Sequence, residues 1–180
     1  MFLNGPAFEQ FRAEQRCGTA HHEAGHAVAA VARGGTFSSF SIEPTTTYDG
    51  GVHVTHDRRH RDFVTFAGPW ADARLGWGDR TLHGIDDNGL TFYDYVRTSM
   101  CVNAGDLRLY EPDRDLPREL FEADVFGGET PEIPLARDDA WYTELESYWP
   151  TIEAIAADAL RGQQITPNYI VRHLNSRREC

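Results

Sequence analysis

Small apolar residues recur at helical spacing in the first part of the chain, where they would line one side of a single helix. These residues are Ala20, Ala24, Ala27, Val28 and Val31. A glycine pair, Gly34-Gly35, follows directly, and glycine is a common stop signal just beyond a helix end. The pattern therefore predicts a buried helix that ends shortly before this pair.

Two short runs rich in strand-forming residues come next, Thr36 to Ile42 and Gly51 to Thr55. Pro44, a threonine cluster and the turn residues Asp49-Gly50-Gly51 separate them. We expect two strands beside the first helix, with Val52 and Val54 turned toward the core.

Helical periodicity returns further along the chain. The predicted helices are Arg61 to Leu75 with a kink at Gly68-Pro69, Leu90 to about Val102, Asp138 to Leu160 with a break at Pro150, and a last short helix from Thr166-Pro167 to Asn175. The segment 105–137 is rich in proline and acidic residues, which predicts an irregular excursion with one short helix near Leu116 to Ala123. The expected fold is a single mainly α (α+β) domain over residues 1–180, with a small β-sheet beside the first helix.

Composition and charge narrow the possible partners. The 180 residues are 41% apolar and carry a net charge of −11, so a nucleic acid or an anionic membrane surface would be repelled. No stretch approaches the roughly 20 apolar residues of a spanning helix, and the N-terminus lacks the pattern of a secretory signal. Three widely spaced cysteines, Cys17, Cys101 and Cys180, favour a reducing compartment. We expect a cytoplasmic protein without nucleic acid or membrane partners.

The first predicted helix carries the sequence His22-Glu23-Ala24-Gly25-His26, an H-E-x-x-H motif. At 3.6 residues per turn the two histidines stand one above the other and Glu23 lies within about 100° of both. Two imidazoles at this spacing can hold a zinc ion, and a zinc-activated water can attack a peptide bond with Glu23 as general base. The motif therefore predicts a zinc metallopeptidase.

Two neighbours of the motif residues also allow predictions. His21 points away from the histidine pair on the helical wheel, so we interpret it as a packing or supporting residue, not a ligand. Gly25 weakens a helix interior, which is explained if another segment approaches the backbone closely at this point.

A catalytic zinc needs a third protein ligand, and spacing alone does not choose it. The candidates are His53, His56, His60, His83, Asp72, Asp79, Asp86, Asp87 and Asp94. A further histidine directly after the motif helix is absent, so this ligand comes from elsewhere in the chain.

Several segments in order resemble one known family. They are His-Glu-Ala-Gly-His-Ala-Val-Ala-Ala from residue 22, Phe40-Ser41-Ile42-Glu43-Pro44, Gly50-Gly51-Val52, Ala67-Gly68-Pro69-Trp70-Ala71-Asp72-Ala73, and the late helix ending in Arg161 to Thr166. Together they resemble the peptidase domain of the FtsH-type AAA+ zinc proteases over most of residues 19 to 175. The resemblance implies a zinc metalloendopeptidase whose third ligand is an aspartate in a Gly-Ala-Ser-Asn-Asp-Leu context. The best match here is Asp87, with Asp86 as the alternative.

The chain lacks the phosphate-binding G-x-x-x-x-G-K-[ST] motif of the family's ATPase module. We therefore expect peptides or unfolded segments as substrates. The second strand, through Gly51, Val52 and His53, would hold an extended substrate by backbone hydrogen bonds. The family also suggests a homo-oligomer.

Two other functions fit the same motif. The domain could be a catalytically inactive, peptidase-like metal-binding module with an interaction or regulatory role, but such a module has no need of Glu23. A purely structural zinc site would need four protein ligands, and no cysteine quartet or obvious fourth ligand is present.

Overall fold

The computed structural model describes residues 5–44, 50–126, 132 and 139–176. Its elements are α1 (Pro6–Ala32), β1 (Thr36–Ser41), β2 (Gly51–Thr55), a 3-10 turn (Arg58–His60), α2 (Arg61–Trp77), α3 (Phe92–Val102), α4 (Ala104–Tyr110), α5 (Leu116–Phe126), α6 (Asp139–Leu160) and α7 (Pro167–Ser176). Helices dominate and the two strands form one antiparallel sheet. The predicted mainly α fold with a small sheet is confirmed.

Helix α1 begins with Pro6 in its first turn, where the missing N–H of proline costs no helical hydrogen bond. Its first turns are exposed, and the helix becomes buried from Ala20 onward. Beyond its last residue, Gly34 adopts a φ of 76°, a left-handed conformation that glycine reaches without a steric cost. The predicted stop at the glycine pair is confirmed.

Helices α1 and α2 cross at very short range. A Cβ atom built on Gly25 would lie 2.5 Å from the carbonyl oxygen of Ala67, so only glycine permits this approach. Around the crossing, α3 and α6 pack against the helix pair. The largest fully buried side chains of this core are Trp70, Trp77, Phe66, Phe92 and Met100. The close approach predicted from Gly25 is therefore provided by α2.

The sheet lies beside α1. Phe37 pairs with Val54 and Phe40 with Val52, with a register irregularity between the two pairs. Both valines are partly buried and pack against the core, as their alternation predicts. Asp49, part of the predicted turn between the strands, lies outside the described residues.

One predicted interruption differs from the structure. Helix α6 continues through Pro150, because Trp149 and Ile152 on either side of the proline are both buried and hold the helix against the core. Helix α2 also contains a proline, Pro69, and extends to Trp77.

The segment 105–137 is more regular than predicted. Helix α5 confirms the short helix near Leu116, but α4 lies where an irregular chain was expected. Residues 127–131 and 133–137 of this segment, and Asp138 at the predicted start of α6, are not among the described residues. Of the helices that are described, none is sufficiently long and apolar for a transmembrane span.

Candidate metal centre

Helix α1 places the two motif histidines side by side. The Nε2 atoms of His22 and His26 lie 3.1 Å apart, and the two rings are nearly perpendicular. Both residues are largely buried, and both line a cleft of about 830 Å³ that opens to solvent. The predicted pairing of the imidazoles is therefore present in the fold.

The partners of the Nδ1 atoms fix the tautomers of both rings. His26 Nδ1 lies 2.8 Å from the backbone oxygen of Val64, and a carbonyl oxygen can only accept, so this nitrogen carries the proton. His22 Nδ1 lies 2.8 Å from Asp72 Oδ2, a carboxylate that also accepts. In the neutral imidazoles both Nε2 atoms therefore present lone pairs to the same point.

A carboxylate from α4 faces the same point. Asp106 Oδ2 lies 3.0 Å from His22 Nε2, and Asp106 Oδ1 lies 3.3 Å from His26 Nε2. Tetrahedral ligands 2.0–2.1 Å from a zinc ion would be separated by about 3.3 Å, so the three groups fit this geometry. Within the described part of the chain, these three side chains form a group able to hold a metal ion.

Asp72 is itself held by two donors. Its Oδ2 accepts from Ser99 Oγ at 3.1 Å and from Asn103 Nδ2 at 3.0 Å, in addition to His22. Asn103 lies at the junction of α3 and α4, just before the helix that carries Asp106. Asn103 therefore links Asp72, the residue that supports His22, to the helix that carries Asp106. Carboxylates that orient a ligand histidine in this way are common in zinc sites.

The ionisation of the group follows from its mutual contacts. Burial opposes a charged His22, but hydrogen bonds to Asp106 and Asp72 outweigh it and raise the pKa of His22 to about 10. Burial also opposes a charged His26, whose pKa is nevertheless raised by the charge of Asp106. For Asp106, burial is outweighed by the charge of His26 and by hydrogen bonds to both histidines, so its pKa lies well below the usual range. The surroundings of these three side chains thus favour a positive charge between them, carried by a proton or by a metal cation.

Glu23 lies on the same face of α1 and lines the same cleft. Only 9% of its surface is exposed, and burial raises the pKa of its carboxyl group despite the nearby histidines. The backbone N–H of Val52 donates a hydrogen bond to this carboxylate. The residues predicted to bind substrate, Gly51, Val52 and His53, all line this cleft.

Gly68 on α2 leaves room for the histidine rings. A Cβ atom built at this position would lie 2.3 Å from His26 Nε2 and 2.9 Å from His22 Nε2. These are the two nitrogen atoms that face the centre, so a side chain here would displace them. Gly68, in the pair at which a kink is predicted, thus provides this space.

The structure does not bring the predicted third ligand to the histidines. The side chain of Asp87 is 97% exposed and its nearest charged partner is Arg80, at 3.6 Å. Asp86, the alternative, accepts hydrogen bonds from the backbone N–H groups of Leu90 and Asn88, which lower the pKa of Asp86. It organises the loop before α3. Asp106, and neither of these two, lies beside the histidine pair.

Of the other candidate ligands, Asp72 supports His22 from behind, and His53 lines the cleft. The remaining candidates are not part of the three-residue group; they are His56, His60, His83, Asp79 and Asp94. His21 stacks on Trp149 and bonds through Nδ1 to the backbone oxygen of Cys17, which confirms its packing role.

Asp106 was missed because it lies at the start of a segment interpreted as irregular. One signal could have found it. Asp106-Leu107, preceded by the small residues Ala104 and Gly105, repeats the Asp-Leu ending of the Gly-Ala-Ser-Asn-Asp-Leu pattern that was matched to Asp87.

Residues 11–79 match a family model described as Peptidase M50B-like. The matched part is less than half of the chain; it includes the H-E-x-x-H motif, the sheet and Asp72, and ends before Asp106. The match supports a metallopeptidase-type domain, and the family is of the site-2 protease type, not the FtsH type. No curated protein and no solved structure matches the chain.

Proposed function

We propose that this protein is a zinc-dependent metallopeptidase that hydrolyses peptide bonds, with Glu23 as the general base. One observation carries the proposal. Two histidine lone pairs and a carboxylate converge within 3.0–3.3 Å of one another at the wall of an open cleft. Such convergence is unfavourable unless a cation or a proton occupies the centre, and nitrogen and oxygen ligands in this number suit zinc.

The ligands in this proposal are His22, His26 and Asp106. When bound to three protein ligands, zinc lowers the pKa of a water molecule to about 7 and polarises a carbonyl group. Because the three ligands all line the cleft, a peptide can reach them from solvent. The family match to a zinc protease type supports the same choice of metal.

The residues of the chain supply the proton transfer. Glu23 takes a proton from the attacking water and passes it to the departing amine. The hydrogen bond from Val52 N–H holds the carboxylate toward the cleft, and Asp72 keeps His22 in the tautomer whose Nε2 lone pair is free for a ligand bond. Each of these residues thus has a role that the others do not replace.

The substrate in this proposal is a peptide or an unfolded segment. Strand β2 pairs with β1 on one side, and Gly51, Val52 and His53 form part of the cleft wall. An extended chain can add to such a strand through backbone hydrogen bonds, with little dependence on sequence. The resemblance to FtsH-type peptidases rests on the order of the sequence motifs alone, because the family model that matches is of the site-2 protease type.

Glu23→Gln tests the proposal most directly. The variant keeps the shape of the side chain but cannot accept a proton, so we expect it to retain zinc and to lose at least about 100-fold in the rate of peptide cleavage. Zinc content is measured by elemental analysis and cleavage with unfolded casein. Glu9→Gln is the matched control, because Glu9 is an exposed residue of the same helix.

The outcomes separate the candidate functions. Cleavage that is unchanged in Glu23→Gln would exclude Glu23 as the base. Zinc bound at one equivalent without cleavage by the wild-type protein would favour an inactive, peptidase-like binding module. Absence of zinc binding in the wild-type protein would contradict the proposed metal centre itself.

A further inference from the structure

Two large apolar side chains at the cleft are exposed. Val102 is 74% exposed and Leu109 is 57% exposed, and both line the same cleft as His22, Glu23 and Asp106. Scattered exposed apolar residues are ordinary on a protein surface. Two of them on the rim of one functional cleft are a more specific feature, because pockets that bind ligands combine apolar walls with a few polar groups.

Their positions place both side chains next to the candidate metal centre. Leu109 follows Asp106 by three residues on α4, so the two side chains lie on the same face of that helix. Val102 is the last residue of α3 and directly precedes Asn103, which contacts Asp72. The two apolar residues therefore flank the carboxylate ligand along the chain.

Other parts of the cleft lining have a different character. Gly18, Thr19, Gly50 and Gly51 also line the cleft and offer little apolar side-chain surface. A large apolar substrate side chain in this cleft would therefore lose most water contact on the side of Val102 and Leu109. Burial of such a side chain is favourable in proportion to the apolar area that leaves water.

We propose that Val102 and Leu109 form an apolar subsite that receives a large apolar side chain of the substrate beside the scissile bond. This inference rests on the proposed peptidase function and adds a preference for leucine-like residues near the cleavage point. A rival occupant is an acidic side chain, because Arg108 also lines the cleft and has no partner among the described residues. The nearby carboxylates of Glu23 and Asp106 oppose that alternative.

The subsite is tested by binding as well as by cleavage. The binding assay uses the zinc-loaded Glu23→Gln protein and fluorescein-labelled decapeptides of alanine, glycine and serine with a single central leucine, serine or aspartate. We expect the leucine peptide to bind about tenfold more tightly than the serine peptide. The wild-type protein, analysed by mass spectrometry, should cleave the leucine peptide next to the leucine.

Substitutions in the subsite should remove this preference. Val102→Ser and Leu109→Ser are each expected to reduce the ratio of leucine to serine peptide binding toward one, while zinc content remains at the wild-type level. Val171→Ser is the matched control, because Val171 is an exposed valine of α7 that does not line the cleft. This variant should keep the full preference.

The results distinguish the subsite from the peptidase. A leucine preference in binding that the two variants abolish, without cleavage by the wild-type protein, supports the subsite and contradicts the peptidase function. Cleavage without any preference, or a preference for aspartate, overturns the subsite and leaves the peptidase intact.

The oligomeric state of all variants is measured by sedimentation. If Val102→Ser and Leu109→Ser dissociate an oligomer and leave peptide preference unchanged, the rim is a subunit interface and the subsite is overturned.

Discussion

The protonated nitrogens of two histidines decide what the candidate centre can bind. Val64 offers His26 only a carbonyl oxygen, and Asp72 offers His22 only carboxylate oxygen, so each ring is forced to donate from Nδ1 when neutral. Both Nε2 atoms are thereby left as lone-pair donors toward Asp106. A backbone oxygen and one aspartate thus determine which nitrogen of each ring is available to a cation, although neither belongs to the motif.

The identity of the third ligand is tested by Asp106→Ala compared with Asp87→Ala. Loss of supporting residues around zinc commonly costs 10–100-fold in affinity, so loss of a direct ligand should cost at least about 100-fold. We expect Asp106→Ala to bind zinc at least that much more weakly in competition with a chromogenic chelator. Asp87→Ala should bind as tightly as the wild type, because its exposed carboxylate lies by Arg80.

The reverse result would have a clear meaning. If Asp87→Ala lost zinc and Asp106→Ala retained it, the loop before α3 would have to reach the histidines when metal binds. In that case Asp106 would serve only as a charged neighbour of the pair in the absence of metal.

Among the elements, the crossing of α1 and α2 sets the space available for the metal centre. Gly25 on α1 allows contact with the backbone of Ala67, and Gly68 on α2 lies against the two Nε2 atoms. Since both glycines are in helix interiors, each costs about 1 kcal/mol relative to alanine. The two glycines thus make the helices less stable locally, and the close approach that they permit leaves room for the two histidine rings.

Gly68→Ala should therefore disturb the site although alanine favours a helix. The added methyl group would overlap the His26 ring, and overpacking of this kind typically costs 1–3 kcal/mol of unfolding free energy. We expect a lower midpoint in urea together with weaker zinc binding. Gly18→Ala is the control on α1, where a Cβ atom would meet nothing within 4 Å. It should be neutral or stabilise by up to about 1 kcal/mol. Equal zinc affinity in Gly68→Ala and wild type would show that the rings can move without loss of the site.

Local patterns predicted most of these elements. Period and stop signals predicted the buried part of α1, both strands and α2, because their apolar faces repeat within a few residues. Helix α4 was missed because Gly105 and the surrounding prolines and acids resemble a loop, although buried Leu107 and Tyr110 hold it on the core. The break at Pro150 was wrong for the related reason that tertiary packing outweighed a local signal.

The candidate site was predicted only as far as it is local. His22, Glu23 and His26 follow from the spacing of one helix, whereas the contact with Asp106 depends on how α4 packs against α2 and α3. The spacing of apolar residues along the sequence does not indicate how close Asp106 lies to the histidines. Asp86 and Asp87 matched the family pattern by position, and nothing in the local sequence distinguishes a ligand from a loop residue.

At the scale of the whole molecule, a bound metal would join segments that the fold holds only indirectly. The histidines belong to α1, while Asp106 belongs to α4, which packs mainly on α2, α3 and α5. The network through Asp72, Ser99 and Asn103 connects α2 and α3 to the same point. Four helices therefore meet around the centre, and a cation bound there would stabilise their mutual arrangement.

Removal of zinc should accordingly destabilise the whole domain. A ligand present at 100 times its dissociation constant stabilises the folded state by about 2.7 kcal/mol, which for a chain of this size corresponds to roughly 5–10 °C in Tm. We expect chelation by EDTA to lower the Tm of the wild-type protein by about this amount, and added zinc to restore it. Asp106→Ala should show little response to either treatment, since it lacks the ligand that ties α4 to α1. A wild-type Tm that is the same with and without zinc would contradict a metal centre shared by these helices, because binding to the folded state alone must raise its stability.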